Sequence, residues 1–189
     1  PNSYTLQVEH IVETTDNMNV SNIRNDYTVT DKADGARKLL FTTNNGEIYL
    51  IDTNMNIMFT GSKTKEPKLF NSLLDGEYIT KNKKGNNIHL FMAFDIYYIN
   101  NETVRQYMFY PKENDVENKY RLKLLWQYVD LLKIEPIVNQ TNINNCENIF
   151  NFQVKVKEFK KPNENQSIFT ACNQIISNTT DEIYEYNTD

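Results

Sequence analysis

The chain has 189 residues, of which 39% are apolar and 12% aromatic, and a net charge of -5. This length suits one domain, with room for a second small one, and the apolar content excludes wholesale disorder. The acidic balance argues against a protein that coats nucleic acid through a broad basic surface, while leaving a local basic groove open. No apolar run approaches the roughly 18 residues of a membrane-spanning helix and no signal peptide is apparent, so the expected setting is intracellular, with no membrane partner. Cys146 and Cys172 have no metal-binding spacing and read as reduced thiols. The chain starts Pro-Asn-Ser, without a methionine, and is expected to be a piece of a longer polypeptide.

In chain order, residues 1–25 are polar with scattered apolar positions and read as a lead-in segment; residues 26–189 read as the domain proper. Tyr27–Thr30 has the composition of a short strand that delivers Lys32 at its end. Arg37–Thr43 and Gly46–Asp52 are strand candidates joined through Asn44-Asn45-Gly46, a strong hairpin signal, and Asn56–Phe59 adds a shorter one. Leu73–Thr80 reads as a strand interrupted at Asp75-Gly76. Ile88–Ile99 is a long strand, apolar on both faces and so expected to be central. From Asp115 to Lys133 the spacing of Tyr120, Leu124, Tyr128, Leu131 and Leu132 predicts a helix, capped by Asn114 or Asp115 and followed by Pro136. Residues 139–148 form an asparagine-rich loop, Phe152–Phe159 alternates into a strand with a basic face, and Ser167–Ile176 suits a short helix. The fold class expected is α+β, with a dominant antiparallel sheet.

The chemistry concentrates in Lys32-Ala33-Asp34-Gly35-Ala36-Arg37. A Lys-x-Asp-Gly-x-Arg pattern arises by chance in about one chain in a thousand of this length. Lys32 is the candidate nucleophile: its amine must shed a proton to attack phosphorus, and nearby positive charge, such as Arg37, favours that. Gly35 permits a close backbone approach to a ligand. Asp34 can hold the lysine or its loop by hydrogen bonds. Arg37 can make paired hydrogen bonds to phosphate or ribose. Downstream, Leu-Asp-Gly-Glu at 74–77 places two carboxylates within an apolar strand, where acids are costly unless paired or bound to metal or hydroxyls. Glu77 is therefore a candidate for ribose or metal contact. Phe94, in Phe94-Asp95, could stack on a base, and Lys155 and Lys157 could share one strand face toward phosphates. No Walker loop is present, and His10 and His89 sit in no triad or ligand pattern.

Taken in order, these motifs resemble those of covalent nucleotidyltransferases, and the phrase from Tyr27 to Gly35 is similar to messenger-RNA guanylyltransferases of large cytoplasmic DNA viruses. The resemblance implies a mixed α/β, ATP-grasp-like nucleotidyltransferase domain, with a following OB-fold domain absent from this piece. It implies that Lys32 forms a phosphoramidate with GMP taken from GTP, with Mg²⁺ or Mn²⁺ as cofactor, and passes GMP to the 5′-diphosphate end of nascent RNA. Arg37 would touch ribose or phosphate, Glu77 ribose or metal, and Phe94 the guanine; Lys155 and Lys157 would lie near the phosphates. Asp189 would open a later Asp-Gly motif that ligates metal. Covalently linked triphosphatase and methyltransferase domains, and a place in the host cytoplasm or virion, are implied as well. Many relatives carry arginine after the Ile-Asp at 51–52, where this chain has Thr53. Two alternatives stay open at this point: an ATP-dependent RNA or DNA ligase, and a non-catalytic module that binds RNA ends or docks neighbouring domains.

Overall fold

The computed structural model describes residues 5–13, 21–111, 119–137, 151–162, 166–180 and 183–188. Asn114, Asp115, Cys146, Asp189 and the asparagine-rich loop at 139–148 lie outside these residues. The chain divides into two compact units. One comprises Pro1–Asp31 with Glu158–Ile183, and the other Lys32–Lys157 with Tyr184–Asp189.

In the first unit, a short 3-10 turn at Val8–His10 is tied to the following segment by side chains. The Asn22 amide donates to the carbonyl of Val12 at 2.8 Å, and Arg24 Nε to that of Ile11 at 2.8 Å. Tyr27–Thr30, expected as a strand, makes only an isolated bridge, Val29 with Lys160. Among the described residues no second neighbour continues the ladder, and four residues alone cannot sustain one. Helix α2 (Ile168–Thr180) runs further than expected and buries Ile168, Ala171 and Ile175, with Phe169 beneath the Arg24 guanidinium at 5.0 Å.

The second unit is built on one sheet. Its strands are β1 (Ala36–Thr42), β2 (Glu47–Ile51), β3 (Ile57–Lys63), β4 (Ser72–Lys81), β5 (Asn87–Ile99), β6 (Glu102–Thr103), β7 (Glu135–Pro136) and β8 (Phe152–Val156). Their order is β6-β5-β4-β1-β2-β3-β7, with β8 joined to β5. The expected β1–β2 hairpin forms, and Asn44-Asn45-Gly46 turns it. Gly46 sits at φ 85°, a left-handed conformation, and its N–H donates to the Thr43 carbonyl at 3.1 Å. That is the three-residue hairpin loop in which glycine follows a type I turn.

Among the described residues every pairing is antiparallel except β5 with β8, which is parallel. Short connections dictate the antiparallel β1–β2, β2–β3, β4–β5 and β5–β6 pairs; β8 arrives by a long one and is free of that constraint. β4 is not interrupted at Asp75-Gly76. It runs on through a β-bulge, where β5 spends the extra residue Phe94 between the partners Asp95 and Ala93. Gly76 is required there, because a Cβ would lie 2.4 Å from the Phe91 ring.

Helix α1 (Arg121–Leu131) packs on β5 and β8. It starts later than the apolar spacing suggested, with Tyr120 as an N-cap that makes no side-chain cap. Its first amides are satisfied instead by the chain before it: Arg121 N–H donates to the Met108 carbonyl at 2.9 Å and Leu122 N–H to that of Phe109 at 3.1 Å. The buried stripe is Leu122, Leu125 and Tyr128, while Leu131 is exposed. Two apolar stripes compete on this helix, and the one facing the sheet is set by where β5 and β8 lie, which helical spacing alone does not record. The Tyr128 hydroxyl meets Thr42 Oγ1 at 2.5 Å, so the even residues of β1 face α1. Arg37 and the other odd residues face the opposite side.

Candidate active site

The lysine-bearing loop lies on that opposite side and is pinned at both ends. Ala33 is buried in a cluster with Ile79, Leu90, Met92, Tyr184 and Tyr186. It bridges Thr188, and the Asp34 N–H donates to the Asn187 carbonyl at 2.8 Å. With Ala33 turned inward, its neighbours Lys32 and Asp34 are left exposed. Gly35 then lies so close to β4 that a Cβ would come within 2.8 Å of the Tyr78 carbonyl oxygen and 2.9 Å of Glu77 Cγ. Glycine thus allows the loop to rest on the strand that carries the acids.

The register of β1 against β4 sets Arg37 opposite Glu77. Arg37 reaches along β4 to Asp75, donating Nε to Oδ1 at 3.1 Å and Nη2 to Oδ2 at 2.6 Å. The Tyr97 hydroxyl donates to the same Oδ2 at 2.6 Å. The Asp75 side chain is 1% exposed and the Arg37 side chain 56%, so the carboxylate serves as a buried anchor and the guanidinium as its exposed end. The Asp75 hydrogen bonds, and then its charge, raise the Arg37 pKa above its ordinary value. Burial first, and the bond to Asp75 second, push the Tyr97 hydroxyl up to about 12. The guanidinium stands 5.9 Å from the centroid of the Phe94 ring, the residue that the bulge inserts.

Glu77 is half-buried. Burial pushes its carboxyl above the usual range, while the charges of Lys157, Lys32 and Arg37 pull it back down. Those influences put all three cations within electrostatic reach of one carboxylate. The two strand lysines part company: Lys157 is 6% exposed, and its N–H donates to the Ala93 carbonyl at 2.9 Å. Lys155 instead pairs with Glu185 at 2.6 Å, and both of those side chains are about half exposed.

The structure therefore brings Lys32, Gly35, Arg37, Glu77, Phe94 and Lys157 to one side of the sheet. Asp34 is engaged there through its backbone, Lys155 stands further out in an ion pair, and Asp189 lies outside the described residues. Three parts of the cluster were not read from the sequence as such. Asp75 was read only as one acid of a pair, Tyr97 as part of an apolar strand, and Tyr184–Thr188 were given no role. A tyrosine in an otherwise apolar central strand is a usable signal, because a buried hydroxyl needs a partner.

For a divalent cation, the donor chemistry points to Glu77, since the oxygens of Asp75 are taken by Arg37 and Tyr97. Among the described residues no three metal-ligating side chains converge. One carboxylate completed by phosphate oxygens is a donor set that suits Mg²⁺.

An antiparallel sheet with a helix on one face, and a lysine loop beside an arginine and a carboxylate on the other, is a mixed α+β domain of nucleotidyltransferase type. Sequence comparison narrows the class: residues 15–183 match the family model described as mRNA capping enzyme, catalytic domain. The chain belongs to this family of capping-enzyme catalytic domains. It is also 38% identical over 91 residues to the probable mRNA-capping enzyme of Acanthamoeba polyphaga mimivirus, a match covering 48% of this chain and 7% of that protein.

Proposed function

We propose that this domain transfers GMP from GTP to the 5′ end of RNA through a lysyl-GMP intermediate on Lys32. The observation that carries this reading is the packing of the Lys32 loop against Glu77, beside an arginine that Asp75 holds half exposed near Phe94. In the first step the Lys32 amine, having given its proton to solvent, attacks the α-phosphorus. An N–P bond forms, the bond between the α-phosphorus and the bridging oxygen breaks, and pyrophosphate departs with the electron pair. In the second, a terminal oxygen of the RNA 5′-diphosphate attacks the same phosphorus. The N–P bond breaks and the lysine is reprotonated.

The side chains divide the remaining work. Arg37 contacts ribose or phosphate with its exposed nitrogens, Phe94 stacks on guanine, and Lys157 offsets the charge of the phosphates. Lys155 and Asp34 line the approach. Glu77 and Asp189, with nucleotide phosphates, would hold Mg²⁺ or Mn²⁺, which would neutralise charge on the leaving group. On the same reading the domain works alongside triphosphatase and methyltransferase activities in one polypeptide, in host cytoplasm or virion. Among the described residues no helix is long and apolar enough to cross a membrane.

The test is covalent labelling. The full-length protein and its Lys32→Ala variant are incubated with each α-labelled nucleoside triphosphate and Mg²⁺, then denatured. Label from GTP alone, absent in the variant, is the expected result. Label from ATP would move the protein to the ligases, and a folded protein that takes no label would overturn the reading.

A further inference from the structure

Asp75 and Tyr97 lie 22 positions apart in the chain, yet their side chains meet at 2.6 Å in the sheet. Oδ2 of Asp75 accepts from both Tyr97 and Arg37, and Oδ1 accepts from Arg37 alone. Without the tyrosine, the carboxylate could pivot about its Cβ–Cγ bond and carry the guanidinium with it. With it, one oxygen is held from the β5 side and one orientation of the carboxylate is selected. The exposed end of Arg37 then has a defined position beside Phe94, which the bulge presents from the same strand as Tyr97. β5 thus supplies both the ring and the hydroxyl that aligns the arginine next to it.

We propose that Tyr97 is a positioning residue for nucleotide transfer, acting through Asp75 to fix the Arg37 guanidinium. This rests on the guanylyltransferase reading, in which Arg37 touches the nucleotide. On this reading the Tyr97 hydroxyl acts through Asp75, to which it donates. Its hydroxyl lowers the reorganisation needed before Arg37 engages ribose or phosphate, so its loss should act on nucleotide capture and adduct formation rather than on folding.

The test is a double-mutant cycle on the full-length protein, reading the rate of lysyl-GMP formation and its dependence on GTP concentration. Tyr97→Phe keeps the ring and removes the hydroxyl. Alone, it should slow adduct formation on the order of tenfold at low GTP, the scale of one hydrogen bond to a charged group. In an Arg37→Ala background the same substitution should change the rate less than about twofold, because there is no guanidinium left to position. Melting midpoints are recorded for each variant. Should Tyr97→Phe fail to fold, Asp75→Asn provides a second route: it should slow the reaction in the presence of Arg37 and have little effect in its absence.

Equal losses from Tyr97→Phe in both backgrounds, or none with Arg37 present, would overturn the positioning role. Failure of the underlying reading looks different, since the unmodified protein would then form no lysyl-GMP at all.

Discussion

Two arginine–aspartate pairs among the described residues are built from the same chemistry and put to different uses. Arg121, at the first turn of α1, grips Asp95 of β5 with Nε at 2.8 Å and Nη2 at 3.1 Å, and gives Nη1 to the Tyr107 carbonyl at 2.6 Å. Both side chains are mostly covered, at 19% and 18% exposure, and the Phe109 ring lies 5.6 Å from the guanidinium. Every nitrogen of that arginine is spent inside the protein. In the Arg37–Asp75 pair the burial is one-sided: the acid is sealed and the arginine half open. The first pair ties a helix and a loop to the sheet, whereas the second presents a cation with a fixed base. Equivalent bidentate geometry therefore says little about role until the exposure of each partner is compared.

The comparison can be broken most severely at the structural pair. Arg121→Ala leaves Asp95 and the Tyr107 carbonyl without their donor in a covered site, and should cost about 2–4 kcal/mol of stability. Thermal or denaturant unfolding would measure it, and adduct formation below the melting range should be largely retained. Arg37→Ala should reverse the pattern. Its stability loss is expected at about 1–2 kcal/mol, because the arginine is half solvated and Tyr97 still serves Asp75, while the rate of lysyl-GMP formation falls well over tenfold. If the two variants lost stability equally and activity equally, the distinction would collapse.

The smallest effect concerns Glu77, whose carboxyl is raised in the folded state chiefly by burial. The folded protein then holds its proton more tightly than the unfolded chain does. This contribution to stability is complete below the ordinary carboxylate value, 4.5, and is lost as pH rises through the higher folded value. Glu77→Gln should flatten that part of the stability–pH curve and leave the protein no less stable at neutral pH, while impairing adduct formation. A variant curve that still declines over the same window would place the titrating group elsewhere.

The sequence carried the sheet well where local chemistry dictates it. Asn45-Gly46 specified the first hairpin, and the mostly apolar run of Ile88–Ile99 specified the long strand β5, although that strand stands second from the edge of the sheet and not at its centre. It carried the site where spacing is short: Lys32, Gly35 and Arg37 lie within one loop and the start of one strand. What it concealed depends on register. Arg37 and Asp75 are 38 positions apart, and their pairing becomes visible only when β1 is aligned with β4. The orientation of α1 was hidden for a similar reason, since Leu124 and Leu125 are equally apolar and only the surface underneath chooses between them. Tyr27–Thr30 failed as a strand because composition describes a residue's preference, not whether a neighbouring strand is there to receive it.

The parallel pairing of β8 with β5 also spreads the chain-entropy cost of the candidate site unequally. Arg37, Asp75, Glu77 and Phe94 come from β1, β4 and β5, of which β4 and β5 are joined by a short turn. Lys157 follows directly on β8, which meets β5 only after the chain has closed a loop of about sixty residues, at an extra chain-entropy cost of about 2 kcal/mol over a tight hairpin. The loop bearing the nucleophile waits on a still more distant partner, the Asn187–Thr188 segment that pairs with Ala33-Asp34. The carboxylate and the base platform thus rest on shorter closures, and the lysines that would make them reactive rest on the longest ones.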